Sequence, residues 1–125
     1  MTEIKSIKHI IKRVWREPEC TLLLSSQVDT TLYSELSKEI PDKYLVIEEV
    51  FCDEELDDIW ESFKGYLSEY EVFPFLGLFG GAVICVGYGE NNIGKIFYFD
   101  FDFGCLQFDR DDLNQFISKL KCVDA

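Results

Sequence analysis

The chain has 125 residues, 47% of them hydrophobic and 15% aromatic, with only three prolines. That is the length and apolar content of one folded domain, able to bury roughly two-thirds of its unfolded surface, and it excludes a disordered or fibrous protein. The formal net charge of −12 is uneven: residues 1–43 carry seven Lys/Arg against seven Asp/Glu, and residues 44–125 carry five against seventeen. Such a field repels nucleic acid and anionic membrane, which sets both aside as partners and favours a basic protein.

Met1-Thr2-Glu3-Ile4-Lys5 lacks the basic and apolar pattern of a secretion signal, and no uncharged run approaches the ~20 residues that cross a bilayer. Cysteines at 20, 52, 85, 105 and 122 are odd in number and form no CxxC pair, the usage of a reducing compartment. The expectation is one soluble, cytoplasmic domain over residues 1–125.

Residues 3–16 predict an amphipathic helix, with Ile4, Ile7, Ile10, Ile11, Val14 and Trp15 opposite Lys5, Lys8, Lys12 and Arg13, closed by Pro18. His9, the single histidine, falls among those lysines, which leaves no second histidine for a nucleophile-base arrangement. Thr21–Leu24 is a short apolar run. Asp29 is placed to cap a helix containing Leu32, Leu36 and Ile40, ended by Pro41. Tyr44–Phe51 is assigned to a strand, although its apolar positions also suit a short buried helix. From Asp53 to Tyr70 a helix is predicted, with Leu56, Ile59, Trp60, Phe63 and Leu67 on one face and Asp53 as its N-cap.

After Pro74 the texture becomes sheet-like. Ala82–Val86 is apolar on both faces, as in a covered central strand, and Glu90-Asn91-Asn92-Ile93-Gly94 is turn chemistry that returns the next strand antiparallel. Gly87, Gly89 and Gly94 lack the spacing of a phosphate-cradling loop and fit that turn. Along Lys95–Phe103 the alternation puts Phe97, Phe99, Phe101 and Phe103 on the core side and Ile96, Tyr98, Asp100 and Asp102 on the other. A last helix begins near Asp109–Asp112 and runs through Leu113, Phe116, Ile117 and Leu120.

Two groups of carboxylates stand out. Asp100 and Asp102 share one face of a strand, about 7 Å apart, and would need Asp109 and Asp111 to hold a divalent cation; as an outward pair they need no metal, and none is expected. The second group is Glu48, Glu49, Asp53, Glu54, Glu55, Asp57, Asp58 and Glu61, eight carboxylates in fourteen residues with no basic side chain before Lys64. Like charges at i,i+4 repel, so an uncompensated run points to a use in an interface. Phe51 and Trp60 are its candidate aromatic anchors, Trp60 also fitting the core at its helical spacing.

Phe73-Pro74-Phe75-Leu76 leading to Gly80-Gly81 and an apolar strand, then Gly94-Lys95-Ile96-Phe97-Tyr98-Phe99-Asp100, then Asp112-Leu113-Asn114-Gln115-Phe116-Ile117, resembles the SUKH superfamily over residues 73–120. Ile40-Pro41 with Tyr44 is similar to that family's L-P-x-x-Y element, whereas residues 44–55 are acidic where the family carries a glycine-rich segment. The resemblance implies an α+β fold with a central, mostly antiparallel sheet flanked by helices. It also implies a bacterial immunity protein, without catalytic residues or cofactor, that neutralises a toxin, often a nuclease; fungal relatives regulate cell-wall synthesis.

The expected function is therefore binding of a cognate, basic, nuclease-like toxin through Glu48, Glu49, Asp53, Glu54, Glu55, Asp57, Asp58 and Glu61, with Asp100 and Asp102 as a second patch. The alternative is a non-enzymatic regulator or scaffold of the same fold that binds several partners. A metal-dependent hydrolase built on Asp100 and Asp102 lacks histidine ligands and a nucleophile.

Overall fold

The computed structural model describes residues 26–51, 53–78 and 80–120, so the expected helix over residues 3–16, the run Thr21–Leu24 and His9 lie outside the described residues. Among the described residues six strands follow one another across one antiparallel sheet in chain order: β1 (Gln27–Asp29), β2 (Tyr44–Val50), β3 (Val72–Leu78), β4 (Val83–Gly87), β5 (Lys95–Asp100) and β6 (Gly104–Asp112). Three α-helices accompany them among the described residues, α1 (Ser34–Glu39), α2 (Asp53–Leu67) and α3 (Leu113–Ser118). The fold is α+β, with α2 packed on β3 and both α1 and α3 packed on β6.

The core explains why the middle strands carry unbroken apolar runs. All of β3 and all of β4 are buried, with Phe73, Phe75, Leu76, Ile84 and Cys85 almost wholly removed from water. Burying each such aliphatic or aromatic side chain is worth about 1.5–3 kcal/mol. Pro74 lies inside β3, a strand flanked on both sides, where a residue without an N–H is ordinarily excluded. The ladder shifts register between Pro74 and Leu76, and such an irregularity is where a strand tolerates proline.

Asp29 does cap a helical turn, but a shorter one. Its carboxylate accepts from the Thr31 N–H and closes a 3₁₀ turn over Thr30–Leu32, after which α1 starts afresh at Ser34. Tyr33, the residue before α1, supplies no side-chain cap. The Asp109 carboxylate on β6 does so instead, accepting from the Ser34 N–H at 3.1 Å and from the Ser34 hydroxyl at 2.9 Å. Asp109 holds φ at +51°, a left-handed backbone uncommon for a residue with a Cβ. Tyr33 packs edge-on against Phe108, and Phe108 against Phe116 of α3, so α1 and α3 meet over the same stretch of β6.

Two expectations are corrected. The strand expected over Lys95–Phe103 ends at Asp100, and Phe101–Phe103 form a turn into β6. Phe101 is 64% exposed and Phe103 41%, while Ile96 and Tyr98, expected on the open face, are buried, Ile96 opposite Val86 of β4 and Tyr98 opposite Leu106 of β6. Asp100 is the physical reason: its carboxylate accepts from the N–H groups of Asp102 and Phe103, and that turn stops the two-residue alternation. The last helix also starts later than expected. Residues 109–111 belong to β6, and Asp112 is the N-cap of α3, in a capping box with Gln115.

Candidate partner-binding surface

The acidic run occupies the end of β2 and the first three turns of α2. Glu48 and Glu49 are consecutive in a strand, where one of the two would ordinarily face inward. The register of β2 against β3 shifts between Ile47 and Glu49, and both carboxylates are exposed. On α2, Leu56, Trp60 and Leu67 are buried and Ile59 and Phe63 partly so, which turns Glu55, Asp57, Asp58 and Glu61 to solvent. Asp53 and Glu54 lie in the first turn of the same helix. Glu61 pairs with Lys64 at 2.9 Å, an exposed i,i+3 pair worth well under about 1 kcal/mol.

The second patch divides into two different residues. Asp102 is exposed, whereas Asp100 is half-buried and its carboxylate is engaged by the Tyr98 hydroxyl as well as by the turn. Burial, and after it the hydrogen bond to Asp100, pushes ionisation of the Tyr98 hydroxyl well above the usual tyrosine range. Asp109 and Asp111, the further ligands that a cation at that pair would need, have separate partners: Asp109 caps α1, and Asp111 is buried and ion-paired with Lys119 at 3.0 Å. The Asp111 Oδ2 atom has no hydrogen-bond partner.

Phe51 and Trp60 are not anchors, since both are buried. Trp60 stacks on Phe73 at 4.9 Å and meets Tyr88 edge-on at 6.1 Å. An exposed aromatic group begins more than one helical turn beyond Trp60. Tyr66, 52% exposed, meets Phe101 at 4.9 Å with the rings at 85°, and Phe63 lies at 6.1 Å from Phe101, nearly parallel to it. Phe99, buried, closes the group from below at 5.3 Å from Phe101. The sequence held a sign of this arrangement, because Asp100-Phe101-Asp102-Phe103-Gly104 is as much a turn as a strand, and Gly104 adopts φ +78°.

Tyr66 stands four and eight residues beyond Ser62 and Asp58, so one ridge of α2 runs from carboxylates into the aromatic group. The arrangement offers charge, aromatic faces and hydrogen-bond acceptors to a partner. Cys105 lies half-buried on the neighbouring strand, its thiol pushed up to about 11 by burial first and by the Glu35 carboxylate second, which keeps it protonated and unreactive at neutral pH.

Residues 22–121 match a family model, RhsPI, of Rhs-associated immunity-like proteins. No curated protein matches the chain.

Proposed function

We propose that this chain, which belongs to the RhsPI family, is an immunity protein that binds one cognate Rhs toxin of basic, nuclease-like surface and blocks it. The resemblance of residues 73–120 to the SUKH superfamily and a cytoplasmic setting form part of this reading. The observation that carries it is the outward acidic ridge of β2 and α2. A nuclease must present cations to hold phosphate, so an inhibitor gains both speed of encounter and selectivity by presenting carboxylates in their place. The interface is then Glu48, Glu49, Asp53, Glu54, Glu55, Asp57, Asp58 and Glu61, with Asp102 as a second patch and Asp100 holding the turn that carries it.

The test is association with the purified toxin domain across a range of salt. Electrostatic steering raises association rates from about 10⁵–10⁶ to 10⁸ M⁻¹s⁻¹ or more at low ionic strength. The wild-type rate should fall steeply as salt rises, and the combined variant Asp57→Asn, Asp58→Asn, Glu61→Gln should associate more slowly with a shallower dependence. An association rate indifferent to salt and to that variant would remove the charge from the mechanism. A toxin that kills cells equally with and without co-expression of this chain would remove the immunity function itself.

A further inference from the structure

We propose that the group formed by Phe63, Tyr66, Phe99 and Phe101 is the socket for an arginine side chain of the toxin. This rests on the immunity reading and names the contact that anchors it. Phe101 and Tyr66 are each more than half exposed, yet they are fixed: their rings touch each other, Phe63 flanks them, and Phe99 is buried beneath. The tip that carries Phe101 is clamped by the Asp100 carboxylate through the N–H groups of Asp102 and Phe103. An anchor site held in place before binding loses little entropy on binding.

Charge selects the occupant. The faces of aromatic rings attract cations, and the exposed carboxylate of Asp102 follows Phe101 directly in the chain. A guanidinium is planar, stacks on a ring and forks to a carboxylate, so it satisfies both at once. An apolar anchor would offer the Asp102 carboxylate no partner. A second copy of this chain would bring another −12 charge against it. Among the described residues no cation already occupies the socket: Lys64 pairs with Glu61, and the lysines that lie over rings are Lys43 on Tyr44 and Lys119 on Tyr33.

The experiment measures binding of the toxin domain to the full chain and to Phe101→Ala, Tyr66→Ala and Phe101→Leu, with far-UV circular dichroism to verify folding. Phe101→Ala and Tyr66→Ala should each weaken Kd about tenfold or more, through faster dissociation and with the salt dependence of association retained. Phe101→Leu keeps apolar bulk and loses the aromatic face, and it should lose affinity nearly as far. Wild-type affinity in Phe101→Leu would mean an apolar anchor, and wild-type affinity in all three would mean no anchor; either result overturns the socket and leaves the immunity reading standing. No binding by the wild type would overturn both. Light scattering on the chain alone should give a monomer, and a dimer dispersed by Phe101→Ala would assign the socket to a second copy instead.

Discussion

The carboxylate of Asp100 accepts from the Tyr98 hydroxyl and from two backbone N–H groups, whereas that of Asp102 stands in water two residues on. Asp100→Ala should therefore destabilise the fold by about 2–3 kcal/mol, because it leaves a buried hydroxyl without its acceptor and frees the turn. Asp102→Ala should stay within about 0.5 kcal/mol. Urea denaturation separates them, and equal effects would refute the division of roles. Cys105 gives a second contrast. Its thiol ionises near 9 in a free chain and near 11 when folded, so between those values the unfolded state has lost a proton that the folded state keeps. Stability is therefore indifferent to this group below about pH 9 and falls as pH rises from there to about 11. Tyr33 and Tyr98, also pushed up by burial, act in the same direction. Replacing Cys105 with Ser should flatten the alkaline loss in urea midpoints between pH 8 and the upper end of that window, and an unchanged slope would exclude the thiol as a contributor.

At the scale of elements, legibility followed the regularity of the repeat. The 3.6-residue period of α2 and the apolar block of β4 were readable, since each is one pattern sustained over its whole length. The end of β5 is hidden in the sequence because phenylalanine at alternate positions continues through Phe101 and Phe103 after the strand has stopped, and the side-chain-to-backbone bonds of Asp100 that mark the stop exist only in the fold. The remote cap of α1 by Asp109 had no local sign at all, since the two partners meet only in the folded sheet. Outward placement of both Glu48 and Glu49 likewise needed the bulge, a property of the β2–β3 pair and not of either sequence alone. Glycines test this level well. A Cβ on Gly87 would lie 2.1 Å from the backbone oxygen of Asn92, in the turn that Asn92 ties to the carbonyls of Tyr70 and Glu71. Gly87→Ala should cost more than about 2 kcal/mol, beyond the ordinary range for a surface change. Gly65 on α2 has open space around its Cβ position, and Gly65→Ala should stabilise by about 0.5–1 kcal/mol through helix propensity. Thermal melts of the pair should move in opposite directions.

For the whole molecule, composition indicated the sign and location of the charge, and the structure adds its direction: exposed on β2 and α2, and continuous with an aromatic group supplied from two separate elements. The strand order has a further consequence, for the kinetics of folding. Every ladder joins chain neighbours, and β3–β4, β4–β5 and β5–β6 turn back within a few residues, so these hairpins can zip with little loop to close, and loop closure is what slows sheet proteins. The seam where α1 meets β6 is different, for Ser34 and Asp109 lie 75 positions apart along the chain. That junction should be the last to form. Asp109→Ala is then expected to hasten unfolding in stopped-flow experiments and leave the refolding rate nearly unchanged, whereas slower refolding would place the seam in the nucleus.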